Sequence, residues 1–282
     1  MIDDDYKLVR LAGGAFSIHS IAEGETFHPV VGPVAEAEAL YVNQLKLRER
    51  VGAAAGEFVI WDVGLGAAAN VLTALRATRD LSCSLHFISF DRTIAPLQFA
   101  LRHASELGYL APYEAVVAGL LQNGRADFKH GRQSVQWRLV LGDFPRFLRQ
   151  PSPTPAPHAI MFDAFSPAKN PEMWTAPLFS DLFRALDRGR PCAMPTYTRS
   201  TMMRVTLLLA GFYVGVGHAT GEKEETTIAA NTLALIDEPL GVDWLLRARR
   251  SKSAEPLWEP VYRQAHLAAE TWEKLRRHPQ FA

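Results

Sequence analysis

Phe58-Val-Ile-Trp-Asp62-Val-Gly64-Leu-Gly66 is the stretch on which the fold of this chain turns. Residues 58–63 form a short, continuously apolar run that ends in an acid and a Gly-rich turn. Such a run fits a strand buried on both faces of a parallel sheet. Gly64 and Gly66 supply the turn, and residues 67–78 open a helix behind it. In that context glycines let a backbone approach a ligand, while the first N–H groups of the helix remain available to it. The alternative is a tight strand-to-helix turn with no ligand at all.

The same pattern continues outward. Apolar runs at 85–90, 137–141, 159–162, 192–196, 212–216 and 227–233 read as strands, and helix-length segments separate the first several. Alternating strand and helix implies βαβ units and a doubly wound, mostly parallel sheet. The last two runs lie close together, which predicts an antiparallel pair at one edge. Toward the N-terminus, 6–11 and 15–21 alternate around Gly13-Gly14, the signal of a β-hairpin. Residues 33–50 have helical spacing, with Ala35, Ala39, Val42 and Leu45 on one side. Pro151, Pro153, Pro155 and Pro157 mark an extended, exposed loop. The tail after Pro239, rich in Arg, Trp and Ala, reads as one or two outer helices. The expected organisation is a hairpin-and-helix extension (1–50), a Rossmann-like α/β domain with a mostly parallel seven-stranded sheet (51–237), and a helical C-terminal tail (238–282).

Hydrophobic residues make up 48% of the chain and charged residues 21%, which excludes a disordered protein. Lys plus Arg equals Asp plus Glu at 30 each, so any affinity for nucleic acid must come from a local patch. Cys83 and Cys192 stand alone in apolar runs. They predict buried thiols in a reducing compartment, with no disulfide framework and no metal site. The start, Met1-Ile-Asp-Asp-Asp-Tyr-Lys7, lacks the apolar segment of a signal peptide. The longest apolar stretch, 205–217, is broken by Gly and is too short to span a bilayer. The expectation is a cytoplasmic protein without membrane contact.

Four acids close predicted strands or sit at their ends. Asp62 precedes the Gly turn. The turn has Ala67, Ala68 and Ala69 where a dinucleotide fingerprint needs its third Gly. That counts against a nicotinamide cofactor. S-adenosylmethionine (SAM) has no pyrophosphate and needs only close packing of its amino-acid end. Asp91 stands about 25 residues after the glycines, where an acid can accept both ribose hydroxyls; a solvated strand-end Asp is the other reading. Gly142-Asp143 ends a further strand. Asp143 reads as an acceptor for an adenine amine, as the N-cap of 144–148, or as both. Asp163-Ala-Phe165-Ser-Pro167-Ala-Lys169-Asn170-Pro171-Glu-Met-Trp174 follows the 159–162 strand and mixes an acid, a Lys, an Asn and two aromatics without periodicity. Two prolines stiffen it, and a rigid, chemically mixed loop at the sheet edge suits a substrate site. Phe165 and Trp174 read equally as loop packing.

Leu85-His-Phe-Ile-Ser-Phe-Asp91, Leu141-Gly-Asp143 and above all Phe162-Asp-Ala-Phe-Ser-Pro-Ala-Lys-Asn-Pro-Glu-Met-Trp174 carry a resemblance. The chain resembles the methyltransferase domain of the MnmC-like group, bifunctional enzymes that finish methylaminomethyl-uridine at the tRNA wobble position. The resemblance runs from about Phe27 to Asn231 and includes Gly32, residues 36–42, residues 196–204 and Gly211-Phe212. It implies a class I SAM-dependent methyltransferase fold. It implies SAM held by Glu36, Asp62, Gly64, Leu65, Gly66, Asn70, Asp91, Arg92, Gly142, Asp143, Ala164 and Phe165, with Asp163 catalytic. The substrate would meet Lys169, Asn170, Trp174 and Arg204. The sequence departs from the family in three places. Gly64-Leu-Gly66-Ala-Ala-Ala-Asn70 stands for Gly-Phe-Gly-Thr-Gly-Leu-Asn. Tyr197-Thr-Arg-Ser-Thr-Met-Met replaces an aromatic-Thr-Ala-Ala-Gly region, and Gly221-Glu-Lys223-Glu-Glu replaces a basic Gly-Lys-Arg region.

The reaction so implied is N-methylation of a 5-aminomethyluridine, with Asp163 accepting or orienting the proton that the amine must lose. Holding the amine in line with the methyl group would supply much of the rate. tRNA is the implied partner. The oxidase activity of the bifunctional enzymes would come from a separate chain, and no metal is required. Arg125 and Arg132, in a basic stretch with Lys129, Arg138, Arg146 and Arg149, are candidate phosphate contacts, as is the basic tail 247–277; each also reads as a solvated charged surface. Competing readings are a SAM methyltransferase or aminopropyltransferase for a small amine, and a noncatalytic partner that kept the fold.

Overall fold

A computed structural model describes residues 5–150, 153–221 and 224–282. Met1 to Asp4, Pro151 of the proline-rich loop, and Glu222 and Lys223 lie outside the described residues. Among the described residues, eleven strands form two sheets: β1 (Tyr6–Arg10), β2 (Phe16–Ser20), β3 (Glu25–Thr26), β4 (Glu57–Val63), β5 (Ser84–Asp91), β6 (Arg125–His130), β7 (Gln133–Leu141), β8 (Ala159–Phe162), β9 (Ala193–Thr196), β10 (Tyr213–Gly217) and β11 (Thr226–Ala230). The central sheet has eight strands in the order β10-β11-β9-β8-β4-β5-β7-β6. Strands β9, β8, β4, β5 and β7 run parallel, so their C-terminal ends share one edge.

The period-2 geometry of a strand explains the layers. Phe58 and Ile60 of β4 enter one core with Leu85 and Phe87 of β5; Val59, Trp61 and Val63 enter the opposite core with Ile88 and Phe90. The first core is covered by Ile18, Leu40 and Tyr41 from the N-terminal region and by the helices Ala69–Thr78, Ala95–Arg102 and Glu114–Asn123. The second is covered by the helices Ala176–Ala185 and Thr201–Ala210. Trp244, Leu245 and Ala248 of the tail helix Val242–Arg250 and Leu275 of Ala269–Leu275 complete it. Both tail helices therefore bury an apolar face on the sheet domain. No helix among the described residues is long and apolar enough to cross a membrane.

Several expectations shift in detail. The sheet has eight strands, not seven, because β6 pairs antiparallel with β7 at the edge. Its sequence, Arg-Ala-Asp-Phe-Lys-His, hides the signal: Arg125, Asp127 and Lys129 face solvent and only Ala126, Phe128 and His130 turn inward. Charges on an exposed edge strand also block further pairing. The hairpin at Gly13-Gly14 is present and is extended to three strands by β3. Strands β10 and β11 do form the antiparallel edge pair, with β11 inserted against β9. The helix behind the Gly turn starts at Ala69 rather than residue 67, because Ala68 adopts a left-handed conformation (φ 62°) that belongs to the turn. Residues 33–50 are not one helix. Pro33–Ala37 leads into a π-helical segment, Glu38–Asn43, and Lys46 with φ 50° separates it from Leu47–Gly52.

Candidate active site

The C-terminal edge of β4, β5 and β8 opens onto a cavity of about 590 Å3, within the range of small-molecule sites. The Gly64-Leu65-Gly66 turn forms its floor. Gly64 has φ 92°, and a Cβ there would lie 2.6 Å from the Asp163 carbonyl oxygen, so only glycine lets the ends of β4 and β8 pass this closely. Gly64 and Leu65 both donate their N–H to the Phe90 carbonyl at 3.0 and 3.3 Å, which ties the turn to the end of β5.

Asp91 closes β5. Its Oδ2 accepts the Gly66 N–H at 2.9 Å and its Oδ1 the Thr93 N–H at 3.2 Å, leaving a further lone pair on each oxygen. Burial raises its carboxyl above the usual range, against the opposing pull of these amides and of Arg92. Arg92 lines the cavity beside it and forms an ion pair with Glu172 of the loop after β8.

Asp163 follows β8, and its side chain is 15% exposed to the cavity. Asn70 Nδ2 donates to its Oδ2 at 2.8 Å, and His28 Nε2 lies 3.6 Å from the same oxygen. The other ring nitrogen of His28 lies 3.9 Å from Glu36 Oε2, so one imidazole stands between two carboxylates. Two phenols hold the strand end, Tyr41 buried behind it and Tyr197 half-buried at the cavity wall. Tyr41 donates to the Phe162 carbonyl and Tyr197 to the Ala164 carbonyl, both at 3.0 Å. Burial, reinforced by the Asp163 charge, raises both phenols well above their ordinary value and keeps them donors.

The cavity thus brings together Glu36, Gly64, Leu65, Gly66, Asn70, Asp91, Arg92, Gly142, Asp163, Ala164, Phe165 and Asn170. The other candidates stand elsewhere. Asp62 is 1% exposed beneath the floor, where Ser89 Oγ donates to its Oδ2 at 2.7 Å and Oδ1 has no partner. Burial pushes its carboxyl up to about 7, with Asp163 and Asp91 adding to the rise. Asp143 is the N-cap residue of Phe144–Leu148 yet makes no side-chain capping bond, and it is exposed; Phe144 lines the cavity in its place.

Trp174 is fully buried and donates its indole N–H to the Phe165 carbonyl at 2.7 Å. It props the loop from inside and has no free face for a base. Lys169 is exposed beside Gly24 rather than in the cavity. Arg204 is 1% exposed and spent on the Thr226 carbonyl (2.7 Å), Thr227 Oγ1 (3.0 Å) and Glu225 (3.2 Å). Arg125 and Arg132 do not make one patch. Arg125 pairs with Arg138 near the cavity edge, whereas Arg132 sits in the β6–β7 turn at the opposite edge, roughly 20 Å of strand away.

A second wall was not foreseen from the sequence. Residues 22–29 line the cavity, including Glu25, Phe27 and His28. Glu25 accepts from the Ser166 N–H (3.2 Å) and hydroxyl, and the Phe27 and Phe165 rings meet at 5.6 Å. A signal was present in Gly24-Glu-Thr-Phe-His-Pro29, which mixes acid, aromatic, His and Pro without periodicity as 163–174 does.

The residues present fit SAM on two observations. Asn70 Oδ1 is buried at the cavity wall without a partner, an acceptor suited to an ammonium group. A Cβ added at Gly142 would meet nothing within 4 Å, so the backbone there is open to a ligand.

Comparison with known proteins agrees with this geometry. A family model described as S-adenosyl-L-methionine-dependent methyltransferase matches residues 111–232. The chain is 30% identical over 243 residues to the tRNA 5-methylaminomethyl-2-thiouridine biosynthesis bifunctional protein MnmC of Pseudomonas putida, covering 81% of this chain and 35% of that protein. It is 31% identical over 284 residues to the MnmC protein of Ectopseudomonas mendocina, covering 92% and 41%. The chain therefore spans well under half the length of these relatives. Among solved structures, MNMC2 of Aquifex aeolicus superposes with a TM-score of 0.69 at 23% identity, covering 96% of this chain and 82% of that one. A spermidine synthase shares the fold more distantly, with a TM-score of 0.50 at 11% identity over 96% and 84% of the two chains.

Proposed function

This chain belongs to the MnmC-like family of SAM-dependent methyltransferases, and on that premise we propose that it methylates the aminomethyl group of 5-aminomethyl(-2-thio)uridine at the wobble position of tRNA. When bound, SAM supplies an electrophilic methyl group on a sulfonium centre. The chain's own residues do the rest. The Gly64–Gly66 turn and Asn70 receive the amino-acid end, and Asp91 accepts from the ribose hydroxyls. Pro96 and Phe144, with the Gly142 backbone, offer an apolar slot for the base.

Asp163 takes or orients the proton of the substrate amine, whose lone pair must be free to react. The hydrogen bond from Asn70 fixes the carboxylate oxygen in place, and His28 gives it a second polar neighbour. Phe165 and Asn170 are the substrate-side contacts of the loop, and Trp174 keeps that loop rigid from within.

The observation that carries this reading is the Asp163 carboxylate, which shares one cavity with the Gly turn and Asp91 and stays accessible to an entering amine. The test is methyl transfer from labelled SAM to bulk tRNA from cells lacking this gene. Incorporation into wobble uridine is expected. A folded, SAM-binding protein that leaves this tRNA unlabelled overturns the substrate and points to a small amine.

A further inference from the structure

We propose that a second cavity, beside the active site, holds a backbone phosphate of the RNA whose uridine enters the first; this rests on the RNA reading above. The cavity, of about 480 Å3, is lined by Arg199, Arg204, Arg247 and Arg250, with Glu225 as its acid. Four guanidiniums against one carboxylate is a marked local excess in a chain whose formal net charge is zero. Arg204 is buried and committed to Glu225, Thr226 and Thr227, so it forms the fixed rear wall. Arg199, Arg247 and Arg250 are exposed, and among the described residues no carboxylate lies within ion-pair distance of them. Burial lowers the Arg204 guanidinium below its ordinary value; Glu225 opposes this, and the positive charges of Arg247 and Arg199 add to it. Thr201 opens the helix Thr201–Ala210, whose N-cap Ser200 makes no side-chain capping bond, so the first amide N–H groups add to the positive field.

The ligand class follows from the forks and the location. Guanidiniums bind phosphate oxygens bidentately and stay charged at any working pH. Arg199 is two residues from Tyr197, which lines the active-site cavity, so the loop after β9 joins the two sites. A polyanion with one nucleoside in the first cavity passes the second. The pocket also unites Arg204 with the start of the basic tail, two features far apart in sequence.

The experiment compares wild type with the R247E/R250E double variant, both substitutions being at exposed positions. tRNA affinity is measured at several salt concentrations, with inorganic phosphate and polyglutamate as competitors. Melting temperature and SAM affinity are measured on the same preparations. The expected result is unchanged SAM affinity and folding, at least tenfold weaker tRNA binding at low salt, and a salt slope of log affinity shallower by about 0.7, the value of one single-strand phosphate contact. A variant that binds tRNA like wild type, with the same slope, overturns the pocket while leaving the tRNA reading intact. If that variant loses only phosphate binding, the pocket is a free-anion site and the proposal falls. Polyglutamate that competes as well as RNA of equal charge reassigns the pocket to an acidic protein partner. Wild type that binds SAM but no tRNA at low salt overturns both readings.

Discussion

The cavity has two walls that are held in different ways. The sheet-edge wall is made of strand ends: Gly64 and Gly66 after β4, Asp91 at the end of β5, Asp163 after β8. Each is fixed by a ladder of backbone hydrogen bonds at the end of a largely buried strand, so its side chains have little freedom. The wall formed by residues 22–29 hangs from a short three-stranded sheet, of which β3 contributes only Glu25 and Thr26. It reaches the other wall through side chains, Glu25 to Ser166, Phe27 to Phe165 and His28 to Asp163. One wall therefore presents its acids from strand ends fixed by the sheet, and the other is held to it only by side-chain contacts, a weaker support for a site. Substitutions should therefore cost more on the first than on the second.

The largest expected effect is at Gly64. Gly64→Ala puts a Cβ 2.6 Å from the Asp163 carbonyl oxygen at a φ of 92°, so both strand ends must part. A loss of about 4 kcal/mol or more of stability is expected, with SAM binding abolished. Denaturant unfolding and calorimetry check this, and a variant as stable as wild type would break the idea of a rigid sheet-edge wall.

Beneath that wall, Asp62 stores a cost that depends on pH. Its folded carboxyl is pushed up to about 7, above the ordinary unfolded value of about 4. Between those values the folded state keeps a proton that the unfolded chain has released. Stability contributed here is complete below about pH 4, falls as pH rises, and levels off above about pH 7. At 1.36 kcal/mol per unit the fall is at most about 4 kcal/mol. Unfolding curves from pH 4 to 8 should show it in wild type and a flatter profile in Asp62→Asn; parallel profiles would remove Asp62 as the source.

Asp163→Ala should slow single-turnover methyl transfer by about 100-fold or more while changing SAM affinity only a few-fold. A rate close to wild type would take proton acceptance away from Asp163. Asp91→Ala comes next, weakening SAM binding by about 1–3 kcal/mol through loss of charge-assisted hydrogen bonds. The smallest effect belongs to the other wall. Glu25→Ala frees Ser166 and should raise the substrate KM a few-fold, under about 1 kcal/mol, with kcat held. If Glu25→Ala cost more than Asp91→Ala, measured side by side, the contrast between the walls would be reversed.

Legibility in the sequence follows the same division. Strands buried on both faces announce themselves as apolar runs, so β4 and β8 could be read directly, with the acids and glycines at their ends, and β5 could be read despite His86 and Ser89. Strand β6 could not, because an edge strand buries only alternate residues and those here are Ala126, Phe128 and His130. Trp174 reads as a substrate contact in the sequence because a loop aromatic carries no mark of its burial. Arg125 and Arg132 looked like one patch because seven positions of sequence conceal the length of an extended hairpin arm.

The α/β class, the strand-end positions of Gly64, Asp91 and Asp163, and the family are legible in the residue order alone, because local period and turn chemistry are properties of neighbouring residues. Packing in three dimensions settles that residues 22–29 line the cavity, that Trp174 faces inward, and that Arg204 shares a cavity with Arg247 and Arg250. Those contacts join residues from 9 to 141 positions apart. They are chosen by which apolar faces must be buried together, and no local pattern records that choice.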